Sequence, residues 1–182
     1  MTRFIATFFY SGLLPKAPGT WGSLATLPLI ALLLHFRLDL ISYLAAIVAV
    51  FILGWWVTYV ETRGKEDHDP SEIVIDEVAG QMLAFLPFYF FAGDLYFLNS
   101  GNTLHTPFHG WLFVLFIFLI SFGLFRIFDI LKPWPVSWAD RKNTAFGVML
   151  DDIIAGALAA ICLIGLIFLW MIVTASDFGA SL

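Results

Sequence analysis

Charge is what this chain has least of. Only 13% of its 182 residues are Asp, Glu, Lys or Arg, about half of the roughly 25% found in a soluble domain. The formal net charge is −5 and no cluster of Lys and Arg is present, which argues against a nucleic-acid partner. Cysteine occurs once, as Cys162 within an apolar run. An internal disulfide is therefore excluded, and core packing is its expected role. What fills the chain instead is apolar: 60% hydrophobic and 18% aromatic residues, with a mean hydropathy of +0.90. This composition belongs to an integral membrane protein with a single bundle.

Crossing a bilayer takes about 20 apolar residues. Residues 41–60, 73–91, 108–131 and 148–173 are long enough. Residues 24–36 would reach only about 20 Å at ~1.5 Å per residue, so they either re-enter or are extended by Trp21 and Gly22. Residues 4–14 are apolar but short, and should lie at the interface or pack on the bundle. The start, Met1-Thr2-Arg3-Phe4-Ile5, imitates a signal peptide. The run meets Pro15-Lys16-Ala17-Pro18-Gly19 without a small-x-small cleavage site, so it is expected to be retained. The expected fold is an all-α integral membrane protein, a compact bundle of about four to five transmembrane helices with a short or re-entrant N-terminal segment. One membrane-embedded domain covers residues 1–182: an interfacial segment and turn over 1–23, the bundle over 24–173, and a tail over 174–182.

Basic residues set the orientation. Arg3 and Lys16 precede the first span, Arg63 and Lys65 follow the second, and Lys132, Arg141 and Lys142 follow the fourth. The 92–107 loop and the tail have none, and Arg37 is the exception. Five crossings with the N-terminus inside satisfy this pattern. Most tryptophans, such as Trp55, Trp134 and Trp170, fall near span ends, as interfacial aromatics should.

That topology brings five acids to one leaflet. Asp69-Pro70-Ser71-Glu72 has the form of a helix start, which would put Asp76 and Glu77 about two turns, roughly 10 Å, inside the third span. Asp129 closes the fourth span, and Asp151 and Asp152 open the fifth. Asp76-Glu77-Val78-Ala79-Gly80 is echoed by Asp152-Ile153-Ile154-Ala155-Gly156. In each, Asp and Gly share a helix face, and the glycine lets a neighbouring helix press close. Acids at helix starts gain about 0.3–1 kcal/mol from the macrodipole and could simply snorkel. Asp129, at a helix C-terminus, has the wrong sign for that. Each intramembrane acid costs about 2.5–3.5 kcal/mol, and gathered acids repel unless a cation sits between them. A hard divalent ion, Mg²⁺ before others, resolves the conflict.

Lys132 and Arg141 could clamp an anion beside this group, or serve only as positive-inside anchors. Gly19-Thr20-Trp21-Gly22-Ser23 leads into the first span. Thr20 and Ser23 there could form a phosphate seat of free backbone N–H groups, or an ordinary turn capped by Thr20. His68, between Asp67 and Asp69, reads as a solvated loop histidine before a metal ligand or proton shuttle. His35, His105 and His109 look structural.

With these residues in view, the chain resembles the phosphatidylglycerophosphatase A family. Three blocks carry the resemblance: Pro18-Gly19-Thr20-x-Gly22-Ser23-Leu24-Ala25 with Pro28; Ile73-Val74-x-Asp76-Glu77; and Phe125-Arg126-x-x-Asp129-x-x-Lys132-Pro133-Trp134-Pro135, continuing to Asp140-Arg141 and Gly147-x-Met149-x-Asp151-Asp152-Ile153-x-Ala155-Gly156. The resemblance implies a Mg²⁺-dependent phosphatase of the bacterial inner membrane, acting at its cytoplasmic face. It would remove the terminal phosphate of phosphatidylglycerophosphate to give phosphatidylglycerol. Asp76, Glu77, Asp129, Asp151 and Asp152 would hold the metal. Asp129, Asp152 and Glu77 would be catalytic, and Thr20, Ser23, Lys132 and Arg141 would hold the phosphate. Attack by water and attack by an aspartate, through an aspartyl-phosphate, both remain open. One departure is Thr144-Ala145-Phe146, where the family is richer in glycine.

Other phosphatase chemistries find no residues here: there is no Cys-x5-Arg loop, no Asp-x-Asp-x-Thr and no Pro-Ser-Gly-His. The rival from another class is a cation or proton transporter using intramembrane carboxylates. A purely structural membrane subunit is the second rival, though it would not need five converging acids.

Overall fold

Apolar runs this long satisfy their backbone internally only as helices, and among the described residues every regular element is helical. The computed structural model describes residues 1–36, 38–65, 70–98 and 107–179, with side chains except at 90–98, 107–110, 171 and 173–179. Arg37, the Asp67-His68-Asp69 group, His105, the His109 side chain and residues 99–106 of the expected 92–107 loop lie outside this set, while residues 92–98 continue α4 as helix. The elements are α1 (Thr2–Ala6), a 3₁₀ turn (Ser11–Leu13), α2 (Pro18–His35), α3 (Leu40–Thr62), α4 (Ile75–Leu98), α5 (Pro107–Leu131), α6 (Val136–Asp140) and α7 (Ala145–Gly179).

Leu40–Thr62, Trp111–Leu131 and Ala145–Trp170 are each long and apolar enough to cross a membrane. Their outer faces, with Val48, Ile52, Phe116, Leu119, Leu166 and Leu169, are exposed and apolar, as lipid contact requires. The central helix is α4, in contact with α2, α3, α5 and α7. Val78, Met82 and Phe85 are wholly buried along it.

Polar side chains in this apolar interior fasten helices together. Tyr43 on α3 donates to the Met82 carbonyl at 2.9 Å and stacks on Tyr89 at 4.0 Å. Gln81 on α4 donates to Ser121 of α5 at 3.1 Å. Helices α4 and α7 approach backbone to backbone. A Cβ on Gly156 would lie 2.3 Å from the Gly80 carbonyl oxygen, and one on Gly80 would lie 2.7 Å from the Asp152 carbonyl oxygen. Glycines let these two backbones touch, and the matched contacts make the helices parallel.

Two helix starts differ from the sequence expectation. α4 begins at Ile75, not at Asp69-Pro70, so Asp76 and Glu77 occupy its first turn and are not two turns inside. Residues 70–74 form a turn and a short extended link instead. Ile73 donates to the Pro70 carbonyl at 2.9 Å, and Val74 donates to the Ala6 carbonyl at 2.9 Å. The N-terminal segment thus packs on the bundle, where Arg3 pairs with Glu72 at 3.3 Å. Conversely, α2 begins at Pro18, well before residue 24. Its 18 residues reach roughly 27 Å at ~1.5 Å per residue. Residues 18–23 are therefore the first turns of a helix and not a loose turn.

Between α5 and α7 the chain folds back. Lys132 has a φ of +43° and the Trp134–Pro135 peptide is cis. In α6, Val136 and Ala139 are buried with Phe125, Ala155 and Ala159. Thr144 accepts the Gly147 N–H at 3.1 Å, so the residue that stands where glycine was expected caps α7.

Candidate active site

The N-terminal ends of α2, α4 and α7 and the C-terminal end of α5 meet at one end of the bundle. One helical turn below Asp76 and Asp152, the Gly80–Gly156 crossing draws α4 and α7 together. Oxygens of Asp76, Glu77 and Asp152 consequently all lie within 4.8 Å of one another. Asp76 and Asp152 are only 5% and 4% exposed, too little for water to screen their repulsion. Asp76 Oδ1 accepts the Glu77 N–H at 3.0 Å, while Glu77 Oε2 is buried without a hydrogen-bond partner. An all-oxygen, acidic donor set with an unused buried oxygen fits a hard divalent cation such as Mg²⁺.

Asp129 adjoins this trio without belonging to it. Its charge acts on both Asp152 and Glu77. On its other side Arg126 Nη1 lies 2.7 Å from Asp129 Oδ2. The contact is off-line, an ion pair and not a hydrogen bond, so Arg126 Nη1 and Nε are both left without hydrogen-bond partners. Arg126 is absent from the residues that sequence reasoning selected. It stands in the third block of the resemblance without a role, and the signal that could have given it one was the i,i+3 spacing to Asp129 on a helix.

Asp151 is next to Asp152 in sequence but is turned to other company. Lys132 donates to Asp151 Oδ2 at 2.9 Å and also to Asp140. Burial alone would lower the Lys132 pKa, but hydrogen bonds and charge from Asp140 and Asp151 outweigh it and hold the ammonium well above its ordinary range. Lys132 is thereby engaged in joining α5, α6 and α7. Arg141 is exposed at the end of α6, and Lys142 lies 4.1 Å over the Trp138 ring.

The start of α2 touches the carboxylates directly. A Cβ on Gly19 would lie 2.0 Å from Glu77 Oε1 and 3.2 Å from Arg126 Nη1. No side chain fits at residue 19 without moving Glu77. Ala17 precedes the helix in a left-handed conformation with no side-chain cap. Thr20 and Trp21 N–H groups turn back to the Ala17 carbonyl, which leaves the Gly19 N–H without a partner among the described residues. Thr20 is half-buried in this turn. Ser23 is fully buried and its hydroxyl donates to the Gly19 carbonyl at 2.9 Å. Of the nine residues selected from sequence, Asp76, Glu77, Asp129 and Asp152 come together, with Thr20 and Ser23 on the adjoining helix turn. Asp151 and Lys132 pair with each other, and Arg141 stands outside at the surface.

This arrangement can hold a divalent cation against an anion, with one basic side chain alongside. Among the described residues it does not form a track across the bundle. Among the described residues the buried acids, Asp76, Asp151 and Asp152, all lie at one level, and deeper polar contacts such as Gln81–Ser121 are neutral.

Comparison with known proteins places these residues in context. A family model described as phosphatidylglycerophosphatase A matches residues 4–167. The chain is 34% identical to phosphatidylglycerophosphatase A of Haemophilus influenzae over 93% of its own length and 90% of that relative. It is 31% identical to the Escherichia coli protein of the same name, over 87% of the chain and 78% of the relative. A Bacteroides thetaiotaomicron protein, named provisionally as a phosphatidylinositol-3-phosphatase, is 32% identical over 84% of each. No solved structure matches.

Proposed function

Because the chain belongs to the phosphatidylglycerophosphatase A family, we propose that it hydrolyses the terminal phosphomonoester of phosphatidylglycerophosphate. The products are inorganic phosphate and phosphatidylglycerol, which stays in the bilayer. The observation that carries this reading is the trio Asp76, Glu77 and Asp152, two buried and one half-buried, packed at one end of the bundle. Asp76, Glu77 and Asp152 would hold Mg²⁺, with Asp129 beside them. When bound, the ion supplies Lewis-acid polarisation of the phosphoryl group and a water of lowered pKa.

The chain's own groups account for the rest. Asp129, the acid outside the trio, accepts the proton of the attacking water at a carboxylate oxygen. The new bond joins that water oxygen to phosphorus. The bond from phosphorus to the glycerol oxygen breaks, and this oxygen takes the proton back from Asp129 and leaves as the hydroxyl of phosphatidylglycerol. The first turn of α2, with Thr20 and the Gly19 N–H, faces the phosphate, and Ser23 fixes that turn through the Gly19 carbonyl. Asp151 serves through Lys132, holding the start of α7 in place. Arg141, exposed on the same end, draws anionic headgroups in.

The charge distribution supports an inner-membrane location with this end in the cytoplasm. Arg3, Lys16, Arg63, Lys65, Lys132, Arg141 and Lys142 flank the helix ends around the carboxylates, as the positive-inside rule requires. The test is phosphate release from phosphatidylglycerophosphate by the purified full chain in mixed micelles. Release that requires Mg²⁺ and is lost in Asp129→Asn supports the reading. Cation flux in liposomes without lipid hydrolysis would replace it with the transporter.

A further inference from the structure

We propose that Arg126, in place of Lys132, is the cation that grips the terminal phosphate of the substrate, a phosphomonoester dianion; this rests on the phosphatase reading above. The guanidinium carries five N–H donors. Of its nitrogens, Nε and Nη1 are buried without a hydrogen bond. An unmet buried donor is costly, and such groups in a folded protein call for an explanation. Neutralising the acids is not a sufficient one. Were that the whole task, the guanidinium would close on Glu77, whose Oε2 is equally unpartnered, and would meet Asp129 in line.

The surroundings complete the case. The α2 backbone at Gly19 lies against both Arg126 Nη1 and the Glu77 carboxylate, and the Gly19 N–H is unpartnered. A guanidinium with two nitrogens that make no hydrogen bond therefore stands at the rim of the carboxylate trio, against the first turn of α2. A phosphate dianion supplies several acceptor oxygens, and a planar guanidinium suits it. The other basic side chains at this end are accounted for elsewhere: Lys132 on Asp140 and Asp151, Lys142 over Trp138, Arg3 on Glu72, and Lys16, Arg63, Lys65 and Arg141 at the surface. Arg126 is the basic side chain whose charge acts on Glu77. Without it a dianion would face Asp76, Glu77, Asp129 and Asp152 with no fixed positive charge near. The Asp129 ion pair then positions the guanidinium.

The experiment measures binding of inorganic phosphate to the full chain in detergent micelles with Mg²⁺, by ³¹P line broadening. Wild type is compared with Arg126→Lys and Arg126→Gln. Mn²⁺ binding by paramagnetic resonance runs in parallel, and phosphatidylglycerol, which carries only the diester, is added as competitor. Arg126→Gln should weaken phosphate binding at least ~10-fold, the scale of one charge-assisted hydrogen bond. Arg126→Lys, which keeps the charge and the pairing to Asp129, should also weaken it because the planar fork is lost. Mn²⁺ affinity and phosphatidylglycerol competition should not change. The proposal is overturned if both variants bind phosphate as wild type does. It is equally overturned if Mn²⁺ affinity falls in step with phosphate affinity, which would make Arg126 a support for the carboxylates, or if only the diester competition changes. A wild-type chain that releases no phosphate from the lipid would sink the underlying phosphatase reading instead.

Discussion

Replacing Gly19 with alanine should separate activity from stability in one step. The added Cβ would stand 2.0 Å from Glu77 Oε1, whereas real Cβ contacts essentially never fall below 3.0 Å. Glu77 must therefore retreat by about 1 Å or swing to another rotamer. A displacement of ~1 Å at a reacting group can cost on the order of 10²-fold in rate. The obstacle is the end of a flexible side chain, so the fold can absorb the change. Gly19 lies inside α2 without a positive φ, where alanine gains up to ~1 kcal/mol of helix propensity over glycine. The expected outcome is a melting temperature equal to or above that of wild type, turnover about 100-fold lower and weaker Mg²⁺ activation. The assay is phosphate release in mixed micelles over a Mg²⁺ titration, alongside thermal unfolding of the same sample. Gly19→Ala protein with wild-type turnover would refute the placement of Glu77 at the chemistry.

Gly156→Ala makes the opposite prediction, because its Cβ would meet the Gly80 carbonyl oxygen at 2.3 Å and backbone cannot step aside. It should lower stability by about 1–3 kcal/mol through overpacking, read as a lower melting temperature, with activity falling too as Asp76 and Asp152 separate. Lys132→Met leaves the buried Asp151 without its cation and should destabilise by about 1.5–3 kcal/mol, the range for hydrogen bonds to charged groups. Since the folded-state pKa of Lys132 is raised, its stabilisation is fully present below the unfolded pKa of ~10.4 and is lost only as pH rises through the higher folded value. The wild-type minus Lys132→Met difference in melting temperature should therefore be flat between about pH 6 and 9, and a slope there would contradict the pairing. Chelator-stripped protein should regain stability with Mg²⁺, by about 2.7 kcal/mol at 100 times the dissociation constant, and Asp152→Asn should show no such gain.

Much of the fold was legible because the spans are long and their interruptions chemical. The helix over 40–62 follows from the apolar run at 41–60, and Asp39 caps its start by accepting the Ser42 N–H at 2.8 Å. The echo of Asp76…Gly80 in Asp152…Gly156 foretold a close helix pair, and the two glycines do meet. The start of α4 was misread because Asp-Pro-Ser-Glu satisfies local capping rules, while Val74 is held outside the helix by a tertiary bond to Ala6. The start of α2 was misread because glycine, threonine and serine suggest a loop. Here the glycines are needed for contact, Gly22 against Val74 and Gly19 against Glu77. Within the site, proximity of the acids followed from topology. Which acid meets which cation did not. Asp151 and Asp152 point to different partners because adjacent helix residues project about 100° apart, and only the folded chain shows that Lys132 reaches the first of them.

The central claim is that Asp76, Glu77 and Asp152 share one divalent cation. Mn²⁺ standing in for Mg²⁺ tests it directly, by paramagnetic resonance on the full chain in micelles. The account predicts that wild type binds Mn²⁺, that Asp152→Asn and Glu77→Gln lose this binding, and that Asp151→Asn, whose native partner is Lys132, keeps it. Asp152→Asn protein binding Mn²⁺ as tightly as wild type would contradict it.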